Sequence, residues 1–326
     1  MRFLITGGAG FIGSHLAERL AARGDGVTVL DNLSTGSLEN IAHLVDAGRV
    51  DFHFGSIQER DTLEKLVGQA DFVVHLAAAL GVKLILEKPV ESIETNVTGT
   101  QIVLEAAARK RTPVLIASTS EVYGKSNKIP FCEDDDVVLG PTRKSRWSYA
   151  ASKMLDEFLA LSYWEEKQLP AIVVRFFNTV GPRQNARYGM VLPTFVQQAL
   201  EDAPITIHGD GRQSRCFCDV RDTVEAVIRL IDAQAFGEVF NIGSTQEISI
   251  EDLAVLVRER LGSHSRILYT PYHQAYNRGY EDMQRRVPSV EKLYALTGFR
   301  PQIALAEIID RTAAHLRSAM TPALSF

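Results

Sequence analysis

The amino-acid sequence predicts an α/β protein, with a doubly wound parallel sheet followed by a smaller C-terminal α/β domain. Apolar strand segments alternate with helical segments through the first half of the chain, which favours a parallel sheet with helices on both faces. After Asn178 the pattern changes, because glycine, proline and arginine cluster at 181–183. With 326 residues, 45% of them hydrophobic, the chain is long enough to fill both parts.

The first strand, at 1–6, leads into a glycine-rich turn and then a helix at 14–23. The turn reads Gly7-Gly8-Ala9-Gly10-Phe11-Ile12-Gly13, which fits both Gly-x-x-Gly-x-x-Gly and Gly-x-Gly-x-x-Gly. Glycine is needed where backbone approaches a pyrophosphate and where a helix packs closely on a strand, and the helix N-terminus supplies an anion site. A Rossmann-type dinucleotide site is therefore predicted, with these binding residues: Gly7, Gly10, Phe11, Ile12 and Gly13.

The second strand, at 26–30, ends at Asp31, about 20 residues beyond the glycine turn. A carboxylate at this position accepts hydrogen bonds from the ribose hydroxyls and repels a 2′-phosphate. We therefore predict NAD, and not NADP, as the cofactor, with Asn32 beside Asp31 in its binding site.

Further periodic segments continue the alternation along the chain. The predicted strands are 50–54, 72–76, 114–118, 171–176, 205–207 and 239–242. The predicted helices are 61–67, 93–109, 147–167, 192–201, 219–233, one after Ile250 and a closing helix near 305–317. We expect a NAD-binding domain at 1–177, rejoined by about 217–245, and a substrate domain made mainly of 178–326.

Tyr149 and Lys153 are four residues apart on a predicted helix, so they share one face. An ammonium beside the phenol favours the ionised tyrosine, which would then act as a base near neutral pH. The alternative is an ordinary solvated surface pair. The preceding Thr119-Ser120-Glu121, at the end of a strand, supplies further polar groups.

Composition excludes several other classes of protein. The net charge of −5 and the absence of a basic run argue against nucleic acid as a partner. The sequence has no run of about 20 apolar residues, so no membrane span is predicted. Met1 leads directly into a predicted strand, so no signal peptide is expected. Cys132, Cys216 and Cys218 form no Cys-x-x-Cys, which favours free thiols in a cytoplasmic protein and no metal site.

These residues together resemble the extended short-chain dehydrogenase/reductase family, in particular its NAD-dependent nucleotide-sugar epimerases, dehydratases and decarboxylases. The resemblance covers essentially the whole chain. It implies that Thr119 hydrogen-bonds the sugar 4-hydroxyl and that Tyr149 removes the proton of that hydroxyl. Lys153 would hold the nicotinamide ribose and lower the pKa of Tyr149.

The same resemblance implies the remaining binding residues. On the cofactor side these are Ser56, Ile57, Leu76, Ala77, Ala78 and Asn96. On the substrate side they are Lys83, Asn178, Arg183, Val191, Leu192, Arg215 and Arg286. Ser56 stands where relatives often have an aspartate that contacts adenine, so this chain departs from the family there.

The reaction within this family is decided by residues around the sugar. The segments that resemble decarboxylases, including UDP-apiose/UDP-xylose synthase, are 119–121, 146–149, 215–217 and 279–282 with Arg286 and Pro288. Oxidation of carbon 4 of a glucuronate makes a β-keto acid, which loses carbon dioxide without a metal. Against this, Gly81-Val82-Lys83 resembles uronate 4-epimerases. We expect a UDP-glucuronate decarboxylase, with a UDP-hexose or UDP-hexuronate 4-epimerase as the alternative and a 4,6-dehydratase less favoured. A non-enzymatic NAD sensor would tolerate the loss of Tyr149 or Lys153, and both are present.

Several of these residues also have a structural interpretation. Glu121 could brace the loop after its strand, Arg146 could be a surface cation, and Trp147 and His75 could be packed in the core. The two helices at 93–109 and 147–167 carry more apolar positions than one buried stripe needs, which predicts a homodimer through a four-helix interface. These positions are Ile102, Leu104, Leu155, Phe158, Leu159 and Leu161.

Overall fold

The computed structural model describes residues 1–79, 81, 88–185, 190–275 and 281–320. The strands are β1 (Arg2–Thr6), β2 (Gly26–Asp31), β3 (Asp51–Phe54), β4 (Phe72–His75), β5 (Val114–Thr119), β6 (Ala171–Phe176), β7 (Thr179–Val180), β8 (Ile205–His208), β9 (Ser214–Cys216), β10 (Cys218–Asp219), β11 (Glu238–Ile242), β12 (Glu247–Ser249), β13 (Ile267–Thr270) and β14 (Arg285–Arg286).

The helices are α1 (Phe11–Arg23), α2 (Ala42–Asp46), α3 (Arg60–Val67), α4 (Pro89–Ile93), α5 (Gly99–Lys110), α6 (Arg146–Lys167), α7 (Val191–Leu200), α8 (Val220–Asp232), α9 (Ile250–Leu261), α10 (Tyr272–Ala275), α11 (Glu291–Thr297) and α12 (Leu305–Met320). Short 3-10 turns occur at Leu38–Asn40 and Ser120–Tyr123, and a π-helical turn at Glu94–Thr98 joins α4 to α5. Over the described ranges, no helix is both long and apolar enough to span a bilayer.

The central sheet has the strand order β11-β6-β5-β4-β1-β2-β3 in the described part of the chain. Each neighbouring pair of these strands is parallel. The order reverses at β1, which lies between β2 and β4, so a crevice forms at the carboxyl ends of β1 and β4. The predicted doubly wound sheet is confirmed.

Helices cover both faces of this sheet because side chains alternate along each strand. Phe3 and Ile5 join a core cluster with residues of α1 and α8. Leu4, between them, joins a second cluster on the opposite face, with residues of α3 and α5. Strand β11 adds to the sheet beside β6, so the chain returns to this sheet after 178–219.

The remaining elements form a smaller unit around its own core. Helices α7, α9 and α12 pack together with β8 there, burying Phe195 and Ile308 among others. Strands β12, β9 and β14 form a separate small sheet. The sequence analysis missed β13, β14 and α11, because such short elements have too few residues to show a clear period.

Candidate active site

The glycine turn has a geometry that side chains would block. Gly7 has φ +74°, and a Cβ there would lie 2.7 Å from the Ala77 nitrogen. A Cβ at Gly13 would lie 2.3 Å from the Gly7 carbonyl oxygen. Helix α1 begins directly after Gly10, and no described side chain caps its first N–H groups. This end of the helix can therefore receive a phosphate group.

Asp31 lies at the end of β2, beside this turn. Its Oδ2 accepts the Ala9 N–H at 3.0 Å, and its Oδ1 accepts the Leu33 N–H at 2.8 Å. Burial raises the pKa of Asp31, and these two N–H groups oppose the rise. The next residue, Asn32, accepts the Ser34 N–H. The tight turn, the open helix end and this fixed carboxylate fit a dinucleotide that carries free ribose hydroxyls.

The residues after β4 lie at the same edge of the sheet. The Leu76 N–H donates to the Thr6 carbonyl, and the Ala77 N–H donates to Thr6 Oγ1 at 3.4 Å. Ala78 follows them, partly buried. Asn96 in the π-helical turn is buried and binds both backbone groups of Ala79. The β1, β4 and π-turn segments are thus tied together behind the glycine turn.

Two further predicted cofactor residues lie beyond β3. Ile57 is buried in the core between β2, α3 and α5. Ser56 begins the turn that leads into α3, and its N–H donates to Glu59 Oε1 at 3.0 Å. The hydroxyl of Ser56, which stands where relatives often have an aspartate, accepts the Gln58 N–H.

Tyr149 and Lys153 lie on α6. The Lys153 ammonium donates to Asp156 Oδ2 at 2.7 Å, and both side chains are buried, with 2% and 0% exposed. Burial raises the pKa of Tyr149, and the charges of Glu121 and Asp156 raise it further, while Arg146 and a hydrogen bond with Thr119 lower it. That Lys153 lowers this pKa stays a prediction, because burial is the largest cause of the rise and the Lys153 ammonium is paired with Asp156.

Thr119, Ser120 and Glu121 lie where β5 ends in a 3-10 turn. Thr119 Oγ1 accepts the Glu121 N–H at 3.3 Å, which fixes this turn, and Ser120 is buried. The Glu121 carboxylate binds the Arg146 guanidinium and lies 3.4 Å from an Arg286 nitrogen. Burial alone would raise the pKa of Glu121, but Arg146 and Arg286 outweigh it and lower this pKa.

These contacts extend into a larger group that we call the arginine cluster, made of Glu121, Arg146, Arg215, Asp282 and Arg286. Arg215 and Arg286 share Asp282 Oδ1 at 2.8 and 3.7 Å. Burial and the charge of Arg215 lower the pKa of Arg286 to about 10. Within this cluster, three guanidinium groups face two carboxylates, so it carries one excess positive charge. Such a group can bind an anion.

The interpretation of Arg146 as a surface cation is wrong, because only 2% of its side chain is exposed. Trp147 is buried, as a core residue would be, and its Nε1 donates to Glu281 Oε2 at 3.1 Å. His75 bonds Thr6 and Thr100, and burial lowers its pKa to about 3. Sequence reasoning missed Asp156, although its i,i+3 spacing from Lys153 is visible in the sequence.

The other predicted substrate residues have different surroundings. Asn178 Nδ2 donates to the Cys216 carbonyl at 3.1 Å. Cys216 follows Arg215 in β9. Arg183 binds Glu18 of α1 at 2.9 Å. Val191 is partly buried at the start of α7, and the Leu192 side chain is fully buried in the core of the smaller unit. Lys83, like Val82, Gly279 and Tyr280, lies outside the described residues.

Comparison with known proteins identifies one family over most of the chain. Residues 3–243 match the family described as "NAD dependent epimerase/dehydratase family". The UDP-N-acetyl-alpha-D-glucosaminuronate decarboxylase of Bacillus cytotoxicus is 44% identical, over 95% of this chain and 96% of that protein. UDP-glucuronic acid decarboxylase 1 of Xenopus tropicalis is 34% identical, over 97% of this chain and 72% of that protein.

Among solved structures, this chain is similar to a UDP-glucuronic acid 4-epimerase from Bacillus cereus, crystallised with UDP-glucuronic acid and NAD. The TM-score is 0.87 and the identity 27%, covering 98% of this chain and 100% of that chain. The family resemblance seen in the sequence motifs is therefore confirmed over nearly the full length.

Proposed function

This chain belongs to the NAD dependent epimerase/dehydratase family, and on that premise we propose that it is a decarboxylase of a UDP-linked hexuronate. The observation that carries the proposal is the arginine cluster, because it holds one excess positive charge and two of its members, Glu121 and Arg146, also act electrostatically on Tyr149. A uronate carboxylate would supply the negative charge that balances the cluster. The uncharged hexose of a UDP-hexose would not.

NAD is the family's cofactor, and this chain has residues suited to hold it. The glycine turn at 7–13 would bind the pyrophosphate, Asp31 the adenosine ribose and Lys153 the nicotinamide ribose. When bound, NAD accepts a hydride from the sugar and can later return it. Residues 1–177 with about 217–245 would form the cofactor-binding part, and most of the remainder of 178–326 would bind the nucleotide sugar.

The side chains around Tyr149 suit the proton steps of such a reaction. Tyr149 would take the proton of the 4-hydroxyl, which Thr119 would also hydrogen-bond. A carbon 4 ketone lies β to the carbon 6 carboxylate, so the bond between carbons 5 and 6 can break with its electron pair flowing to the ketone oxygen. Carbon dioxide leaves and carbon 5 takes a proton. Glu121, held ionised by Arg146 and Arg286, would disfavour the charged carboxylate relative to neutral carbon dioxide.

Two hexuronates deserve the first tests. The relative at 44% identity is named for UDP-N-acetyl-alpha-D-glucosaminuronate, whereas the relative at 34% identity is named for UDP-glucuronic acid. The sequence analysis predicts UDP-glucuronate, and the higher identity favours its N-acetylated counterpart. The second candidate function is 4-epimerisation, supported by the solved epimerase structure and by the Gly81-Val82-Lys83 motif.

The test is to incubate the purified protein and NAD with each hexuronate, and with UDP-glucose as a control whose sugar is uncharged, and to identify the products by NMR. A decarboxylase releases carbon dioxide and gives a UDP-pentose or its 4-keto form, from one or both hexuronates and not from UDP-glucose. A six-carbon galacto epimer without carbon dioxide would contradict the proposal and establish the 4-epimerase instead.

The assembly is also a proposal. On α6, Leu155 and Phe158 are 43% and 60% exposed, and on α4, Val90 and Ile93 are exposed as well. Ile102 and Leu104 are instead buried within the subunit, so their predicted place in an interface is wrong. Leu159 and Leu161 are partly buried against the core. We propose a homodimer that covers the exposed faces of α4 and α6. A cytoplasmic location stays a prediction from the free cysteines.

A further inference from the structure

A buried ion pair adjoins the proposed base. Lys153 Nζ and Asp156 Oδ2 are 2.7 Å apart on the same helix, and neither side chain has more than 2% of its surface exposed. The second oxygen of Asp156, Oδ1, has no well-formed hydrogen bond among the described residues. The nearby Thr100 side chain favours the ionised carboxylate, but the lysine is its principal partner. Burying a carboxylate this deeply costs folding free energy unless a cation or hydrogen bonds stabilise its charge.

The surroundings of Asp156 connect it to the edge of the sheet. Thr100 Oγ1 of α5 hydrogen-bonds His75 Nε2 at 3.1 Å, and His75 Nδ1 hydrogen-bonds Thr6 Oγ1 at 2.7 Å. Thr6 directly precedes the glycine turn. These bonds hold Thr100, which influences the Asp156 carboxylate, in place from β1 and β4.

We propose that Asp156 is a positioning residue that holds the Lys153 ammonium in place and cancels part of its charge, thereby limiting how strongly Lys153 favours the ionised form of Tyr149. This inference rests on the proposed role of Tyr149 as the base.

The charges that face these groups come from several elements. Tyr149 is influenced by Glu121 of the 3-10 turn, Arg146 of α6 and Asp156, of which the two carboxylates raise its pKa. Asp156 is influenced by Lys153, by Thr100 and by its neighbour Glu157. His75 faces Lys153 as a neutral ring, since its pKa is lowered to about 3. Removing the charge of Asp156 should therefore lower the pKa of Tyr149.

The first test is Asp156→Asn, which keeps the shape of the side chain and removes its charge. Turnover of a UDP-hexuronate needs ionised Tyr149, so its rate rises with pH through the pKa of that group. In the variant, the half-maximal point of this acidic limb should move to lower pH by about one unit. The matched control is Glu157→Gln, because Glu157 is the adjacent buried carboxylate but pairs with Arg175 at 2.7 Å. That variant should leave the limb in place.

A second measurement uses no substrate. With NAD bound, the near-ultraviolet absorbance of tyrosinate is titrated in the wild type, in Asp156→Asn and in the double variant Asp156→Asn/Tyr149→Phe. The single variant should gain tyrosinate signal at a lower pH than the wild type, and the double variant should lack this gain. If no hexuronate is turned over, the proposed function fails while this titration still tests Asp156.

If Asp156→Asn does not fold, Thr100→Val removes the hydroxyl that favours the ionised carboxylate and nearly preserves side-chain volume. It should shift the limb and the titration in the same direction, by less. The proposal is overturned if the limb and the titration of a folded Asp156→Asn or Thr100→Val superimpose on those of the wild type. It is also overturned if Glu157→Gln moves them as far as Asp156→Asn does.

Discussion

Two buried groups of charges act on Tyr149, and they differ in balance and in access. The Lys153–Asp156 pair has one charge of each sign, and its side chains are at most 2% exposed. The arginine cluster has three cations and two anions, and the side chains of Glu121, Arg286 and Asp282 are 11–14% exposed. The Lys153–Asp156 pair lies entirely on α6, whereas the arginine cluster has only Arg146 on that helix.

The difference indicates which group is complete within the protein and which requires a ligand. Buried charges are stable when each has a partner. The pair meets this condition, so it suits a fixed internal role beside the base. The cluster lacks one negative charge and is reachable from outside, so an anionic substrate would complete it.

The largest effect is expected from Tyr149→Phe, since both groups act through this phenol. The change keeps the ring and removes the ionisable oxygen, so turnover of the UDP-hexuronate should fall by roughly 100-fold or more. NAD affinity, measured by calorimetry, should remain close to that of the wild type. Near-full turnover in the variant would show that neither group acts through Tyr149.

Glu121→Gln unbalances the arginine cluster further and should slow carbon dioxide release by about tenfold or more. NAD affinity should change far less, because Glu121 contacts the cluster and not the glycine turn. The matched control is Glu133→Gln, another buried glutamate, which accepts the Asn241 N–H instead of binding the cluster arginines. Equal losses of carbon dioxide release in both variants would indicate a general effect of removing a buried carboxylate.

Asp31 gives a third arrangement, in which two backbone N–H groups stabilise a buried carboxylate. Its charge should make NADP bind about tenfold more weakly than NAD, because the 2′-phosphate would meet it at close range. Asp31→Asn should reduce this discrimination, as calorimetry with both dinucleotides would reveal. Equal affinities in the wild type would remove Asp31 from its proposed role.

The smallest effect on chemistry is expected at the outer face of α6. Phe158→Glu places a charge on the proposed dimer interface, so light scattering at micromolar concentration should detect monomers where the wild type forms dimers. The control is Phe54→Glu, which introduces the same change at a residue that is 71% exposed on edge strand β3. A wild-type monomer, or dissociation caused equally by the control, would contradict the interface.

Much of the fold and part of the site could be predicted from local patterns. The alternation of strands and helices predicted the doubly wound sheet, because apolar periodicity reflects burial on both faces. The Rossmann motif also required only short spacings, from the glycines at 7–13 to Asp31. The two small strands β13 and β14, and helix α11, were missed because they have too few residues to show a clear period.

Local sequence specifies residue types within short segments: the glycine turn, Asp31, and the Tyr149 and Lys153 spacing. Tertiary structure alone decided how the charges of these segments combine. It brought Glu121 to Arg286, 165 residues away, buried Arg146, and joined Arg215 to Arg286 through Asp282. It also paired Lys153 with Asp156 and buried Tyr149, and this burial raises the pKa of the phenol where the spacing predicts a fall. The physical reason is that burial and Coulomb interactions depend on distances through space, which residue order does not specify.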